Sequence, residues 1–446
     1  MKNTTLFLIL FSIIFDFNAQ SPTDYRRSSL AFILLENPNL GQSRELVVNA
    51  CNTNEFPIQF NQHKLSDSRF EVEKIQLTDK DYIAAGWYVD TLKTAADFLK
   101  ALKKPLNPLR FLNPEQTIAV QEPTEAQLLQ IKLSTYIRDK ALAKQVVATW
   151  FNRDPQTGKM DFNELMRRGL YSASAEKQDE LKTVADPTIF LKDFELIGNT
   201  YICFNKMDFY PNEPVARMVR DKAKEKATQE LAGKPEILLV KALALADTVY
   251  EKTKVGYTVA CNSFLYALDW NDTIAEKVKS YFFNENIDPK TAWDTTGIFK
   301  LKFVGNTLSS SIVTFKIGDP RTEEQIIDLQ VKRTMDNAVA KLQKEYVQFR
   351  AVAPVSSVGP VTSRIGLKEG VEPKQKFDIL EMSINDLGMP VWKSIGSVTV
   401  DSKKPIWDNR QGAESEITDP NQQPVSFTTF TGGKNAQVGL HYLRAH

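Results

Sequence analysis

The 446-residue sequence predicts an α+β/α/β protein, a mixed sheet with packed helices and a helical insertion, followed by a small all-β barrel or sandwich. Three observations lead there. Strand-like runs and amphipathic helices alternate through the first 350 residues, the order that builds a helix-covered sheet. A charged, Ala- and Lys-rich stretch over residues 212–253 separates two strand patterns. Beyond residue 360, only short alternating segments punctuated by glycine remain, as in a small barrel or sandwich.

Residues 1–19 have the order of a secretory signal peptide: Lys2, an apolar run over 6–15, and small Ala19 at the cleavage point. The run is shorter than the roughly 20 apolar residues of a spanning helix. The expectation is therefore export to the periplasm or cell surface, with no transmembrane span in the mature chain. The first cysteine is Cys51, too far on for a lipid anchor directly after the apolar run.

Residues 20–350 form the expected α/β domain, with helical insertions at about 78–150 and 212–253. Residues 28–35 (SSLAFILL) read as a buried first strand, and 44–51 as a short helix capped by Ser43. Helical spacing recurs over 90–102, and four prolines make 104–123 an irregular connection. Residues 124–150 lack Gly and Pro and start with a Thr124–Gln127 capping box. Residues 154–158 supply a turn before a helix with Asp161 at its start and Gly169 at its end. Residues 190–198 suit a short helix or strand, and 199–209 a strand. Within the second insertion, 237–246 (ILLVKALALA) reads as a buried helix. Residues 255–270 suggest a long strand, 297–317 two strands, and 321–349 the best-patterned helix.

Residues 351–360 (AVAPVSSVGP) have the composition of a linker. The small β domain then covers 361–446. Its alternation is visible at Phe377 and Ile379, Val398 and Val400, Val425 and Phe427, and Val438, Leu440 and Tyr442.

Concentrated chemistry is missing from the sequence. A net charge of +1 gives no electrostatic reason to expect nucleic acid. The three histidines and three cysteines are scattered singly, without zinc-ligand spacing. His63 is the one histidine placed to be a buried base, and no GxSxG or phosphate-loop motif accompanies it. Asn152 to Glu164 imitates a calcium loop, but Gly158 and Glu164 fall at its positions seven and thirteen rather than six and twelve. No catalytic, cofactor-binding or metal-ligating residue can be named, and no cofactor is expected. Cys203 and Cys261 sit in strand patterns and could form a disulfide if those strands are neighbours; three buried free thiols are the alternative. Trp392 and Trp407 are candidate members of a ligand platform or of a core.

The segments SSLAFILLENPN, FNQHKL, AKQVVATWFNRDPQTGKMDFNELMRRGLYSA, FLYALDWND, LKEGVEPKQKFDILE and IWDNR resemble, in that order, a set of uncharacterised exported proteins of Bacteroidetes bacteria. The resemblance covers nearly the whole chain and implies lineage and location. More remotely, the strand-helix opening, NELMRRG, TYICFNKM and the helix over 321–349 are similar in order to the periplasmic α/β domain of curli-export lipoproteins. Residues 370–381 and 396–400 look like the C-terminal β domain of the flagellar assembly T protein. Those relatives imply fold and compartment. The curli family's lipidated cysteine and pore-building hairpins are not matched here, so pore formation is not carried over. The resulting expectation is a non-catalytic envelope protein in an assembly or scaffold role, binding envelope proteins or itself. An exported hydrolase using dispersed carboxylates and a small-ligand or glycan binder are the alternatives.

Overall fold

A computed structural model describes residues 28–63, 65–85, 123–170, 191, 194–314, 321–384, 390–413 and 425–446. The signal-like segment, the helical pattern over 90–102 and nearly all of the proline-rich connection lie outside the described residues.

The strand β1 (Ser28–Glu36) buries Leu30, Ile33, Leu34 and Leu35, so both of its faces are covered, as a near-continuous apolar run requires. Short strands β2 (Phe60–Gln62) and β3 (Arg69–Glu71) pair parallel along one side of it. On the other side β4 (Thr200–Pro211) also runs parallel, and β5 (Gly256–Leu268) and β6 (Leu301–Thr314) continue antiparallel. The order is β2-β1-β4-β5-β6. The two strands expected over 297–317 are one, carrying a bulge where Leu265 faces Gly305 and Tyr266 faces Phe303. Gly305 serves close packing there: a Cβ would lie 2.1 Å from the ring of Tyr346.

Helix α1 (Arg44–Asn52) lies on one face. Ser43 occupies its N-cap position, but the side chain makes no capping bond. The opposite face is covered by the first insertion. There α2 (Asp79–Ala84) is tied to α3 (Glu125–Asp139) through buried Asp81, which accepts from Arg138 at 2.8 Å and Thr135 at 3.1 Å. Thr124 and Gln127 form the expected capping box. The helix expected over 124–150 breaks at Ala141, whose φ is 50°, and resumes as α4 (Leu142–Trp150). The turn over 154–158 is closed by Asp154, whose Oδ1 accepts from the amides of Gln156 and Thr157. Asp161 accepts from the amide of Asn163 at the start of α5 (Asn163–Leu170). Gly169 lies within that helix rather than ending it. Residues 194–198 form the short helix α6 (Phe194–Gly198).

Between β4 and β5 the second insertion folds as two antiparallel helices, α7 (Asn212–Glu230) and α8 (Glu236–Thr253). After β5 come α9 (Asp272–Phe282), capped by Asn271, and α10 (Pro289–Thr295), capped by Asp288. They complete a core of Trp150, Phe151, Phe204, Trp270 and Phe299 under the sheet. The long helix α11 (Glu323–Glu345) begins at a Thr322–Gln325 capping box and covers the α1 face with Ile327, Val331, Met335, Val339 and Leu342.

The C-terminal part is a closed antiparallel barrel ordered β10-β11-β8-β7-β12-β9. Its strands are β7 (Val352–Ser357), β8 (Val361–Ser363), β9 (Lys376–Ile384), β10 (Pro390–Val400), β11 (Thr428–Gly432) and β12 (His441–Ala445). Ala353, Val355, Phe377, Ile379, Val398, Phe430 and Leu443 fill it. Two expectations need correction. Residues 351–360 are no linker: Ala353 and Val355 alternate into the barrel, and the glycine and second proline belong to the turn between β7 and β8, where Gly359 has a φ of 81°. Val425 and Phe427 precede β11 and are exposed, so their alternation does not mark a strand.

Candidate functional site

The second insertion departs most from its sequence pattern. The sequence predicts that residues 237–246 are buried, yet Leu245 is 65 % exposed and Ile237 59 %, with Leu238 and Val240 also open, as is Val249 just beyond. The reason is geometric: α8 packs mainly on α7 alone, and a two-helix layer covers one stripe of each helix. The inner stripe carries buried Ala216 and Ala246. Along one flank the helices are joined by polar contacts: Lys224 pairs with Asp247 at 2.6 Å, the Tyr250 hydroxyl donates to Glu213 at 2.8 Å, and the Arg220 guanidinium lies 4.5 Å from the centre of the Tyr250 ring. The other flank is apolar. Helical spacing aligns Val215, Val219 and Ala223 on α7, and Leu238, Leu245 and Val249 on α8. Met218 extends this surface outward, and all seven are exposed.

A second concentration of unusual groups lies where the barrel meets α11. Lys368 and Asp336 are buried, with Nζ 3.5 Å from Oδ1. Lys368 also donates to the Glu55 carbonyl at 3.3 Å, and Asp336 accepts from the Gln411 amide at 3.2 Å. Burial pushes Asp336 up to about 6, against the opposing pull of Lys368. Next to it, Glu369 Oε2 accepts from the Gly366 amide at 2.7 Å and from Asn409 Nδ2 at 2.8 Å. Burial raises this acid as well, partly opposed by those hydrogen bonds. Gly370 brings the turn against the helix: its φ is 74°, and a Cβ would meet the Ala340 carbonyl oxygen at 3.1 Å. Lys368 and Asp336 bind the barrel to the helix layer, while the Glu369 hydrogen bonds tie together segments of the C-terminal part.

Close by is a cavity of about 180 Å³ lined by Gln343, Lys344, Arg350, Ile365, Glu369 and Phe377, among others. Among the described residues, Glu369 is the one acidic side chain in its lining, and Asp336 is not part of that lining. Acid–base hydrolysis by two carboxylates requires both at the reacting bond, and here one acid of the buried pair reaches the cavity.

The residues singled out from sequence do not converge. His63 is buried beside Trp150, with Nε2 3.4 Å from Arg168 Nη1. Burial, reinforced by the positive charge of Arg168, pushes it down to about 3, which makes it a weak base. Cys203 and Cys261 require a correction: both are free, buried thiols. Their strands are neighbours, but Cys203 faces Leu265 and Cys261 faces Met207. The four-residue offset is about 13 Å along a strand, beyond disulfide reach. Both thiols instead lie against Asn205 Oδ1. Trp392 packs on Tyr442, and Trp407 lies under Arg364; both are half-buried. Among the described residues, no three His, Cys, Asp or Glu side chains gather where they could hold a metal ion, and no helix is long and apolar enough to cross a membrane.

Sequence reasoning passed over both the apolar flank and the buried ionic junction. The flank had a signal, since Leu238, Leu245 and Val249 recur at seven and four residues. The junction had none, because Glu55, Asp336, Lys368 and Asn409 are distant in the chain. Comparison with known proteins matches the chain to no family model and to no curated relative.

Proposed function

We propose that this chain is a non-catalytic protein of the cell envelope, acting after export through protein–protein contacts in an assembly or scaffold role. The observation that carries the reading is the apolar flank of the α7–α8 hairpin, a large exposed surface of the kind that marks interaction sites. The dispersal of reactive groups supports the non-catalytic part: buried Asp336 and Glu369 are engaged in holding the barrel, and His63 is a poor base. The signal-like opening residues and the resemblance to envelope components support the compartment.

A photoreactive amino acid at position 245, activated in living cells before fractionation, tests the reading. The expected result is a covalent adduct with protein in the envelope fraction. Recovery of the chain from the cytosol, or labelling without any protein adduct, would overturn it.

A further inference from the structure

We infer that the cavity between the end of α11 and the barrel is a binding site for a free α-amino acid with a small apolar side chain. The site lies apart from the α7–α8 flank, and the inference does not depend on the contact reading above.

The cavity forms where Gln343 and Lys344, in the last turn of α11, and Arg350 just beyond it meet Ile365, Glu369 and Phe377 of the C-terminal part. Two of these side chains are buried and incompletely bonded. Glu369 spends Oε2 on the Gly366 amide and Asn409 Nδ2, while its Oε1 is buried with no partner among the described residues. Gln343 accepts at Oε1 from the Ala351 amide at 2.9 Å. That bond fixes the orientation of the side-chain amide and leaves Nε2 a buried donor with no partner among the described residues. An unpaired buried donor or acceptor is costly, so each of these atoms calls for a complementary group in the cavity they line.

Charge narrows what that group is. Arg350 donates Nε to the Gln343 carbonyl at 3.3 Å, Nη1 to the Ala445 carbonyl at 3.3 Å and Nη2 to the Lys344 carbonyl at 3.5 Å. A guanidinium has more N–H groups than these bonds use, and the remainder suits a carboxylate. Lys344, the other cation of the lining, is already held by Glu372 at 2.5 Å. Arg350 and Gln343 Nε2 thus ask for an anionic acceptor, and Glu369 Oε1 asks for a donor, best a cation. An α-amino acid carries a carboxylate and an ammonium on one carbon.

Size agrees. A cavity of about 150 Å³ holds benzene. A cavity of about 180 Å³ therefore takes about seven non-hydrogen atoms, between alanine and valine in size. Ala351, Ile365 and Phe377 supply the apolar wall for the side chain.

Isothermal titration of the full chain with three probes provides the test: L-valine, 3-methylbutanoate (valine without its ammonium) and isobutylamine (valine without its carboxylate). Valine is expected to bind at least about tenfold more tightly than either fragment, because each fragment leaves one charged partner unmet. Glu369→Gln should weaken valine about tenfold or more and strengthen 3-methylbutanoate, since an amide donor replaces the acid oxygen. Arg350→Met, at a half-buried position, should weaken valine and 3-methylbutanoate and leave isobutylamine unchanged. This opposed pattern distinguishes ligand contact from a structural role, which would lower all three alike, and the Arg350 variant stands should Glu369→Gln fail to fold. No valine binding up to about 10 mM would mean a cavity holding water only, and overturns the inference. Valine binding that ignores both substitutions overturns the site. Equal affinity for valine and one fragment overturns the amino acid in favour of a simple carboxylate or a simple amine.

Discussion

Replacing Lys368 by methionine tests the junction between the barrel and α11. Lys368 and Asp336 have side chains 5 % and 3 % exposed, so the pair is shielded from solvent. Asp336 titrates near 6 in the folded chain against an ordinary value of 3.8. A rise of about two units corresponds to about 3 kcal/mol between its two protonation states. Because the folded acid holds its proton more tightly than the unfolded one, stability from this group is greatest below 3.8, declines as pH rises through 6, and stays at its lowest above that. Lys368 limits this loss. Lys368→Met leaves Asp336 buried without its cation, which costs about 3–5 kcal/mol once the acid is ionised. At pH 4 the acid is protonated in the folded chain, and the substitution should cost about 1 kcal/mol, the share of the hydrogen bond to the Glu55 carbonyl. Adding Asp336→Asn should recover most of the loss at pH 8, since no uncompensated charge remains. The assay is urea unfolding of the single and double variants at both pH values, followed by tryptophan fluorescence. Equal destabilisation at pH 4 and pH 8, or no recovery in the double variant, would refute the reasoning.

Other outcomes follow from the same fold. His63, pushed down to about 3 by burial and Arg168, stays neutral in the fold while its unfolded form protonates near 6.5. It therefore contributes stability above 6.5 that is lost as pH falls towards 3; His63→Gln should flatten that acid limb, and the His63 imidazole NMR resonances should not move between pH 5 and 8. Trp150 is fully buried, and its Nε1–H donates to Thr200 Oγ1 at 2.9 Å; Trp150→Ala should cost about 3–5 kcal/mol in denaturant unfolding. Alkylation after denaturation without reductant should label all three cysteines, since Cys51, Cys203 and Cys261 are free; two labels missing from Cys203 and Cys261 would restore the disulfide. In the native chain those two should resist labelling, as burial pushes Cys261 up to about 12 and raises Cys203 as well.

Much of the fold was legible because local chemistry agreed with the tertiary outcome. The Thr124–Gln127 box opens α3, and the apolar periodicity over 321–349 marks α11. What escaped depended on contacts between distant segments. Ala141 breaks a Gly- and Pro-free helix by adopting a left-handed conformation that residue propensity does not announce. Residues 351–360 carry linker composition yet contain a barrel strand, because β12 and β8 supply its partners. The strands of the two cysteines, left open by the sequence as neighbours or not, do pair, but a four-residue offset in register, invisible without the pairing, separates the two residues. The apolar content of α8 was plain; its exposure was not, since periodicity reports an apolar face without reporting what covers it. The junction acids and Lys368 look like ordinary surface charges until α11 and the barrel are brought together.

The central claim is that the α7–α8 flank is covered by protein in the cell. It is tested most directly by replacing Leu245 with cysteine and comparing its reaction with a membrane-permeant maleimide in intact cells and in dilute purified chain, read on the tryptic peptide. The account predicts rapid labelling in the dilute chain and strong protection in cells. Equal labelling in both would show the flank open where the protein works, and would contradict the account.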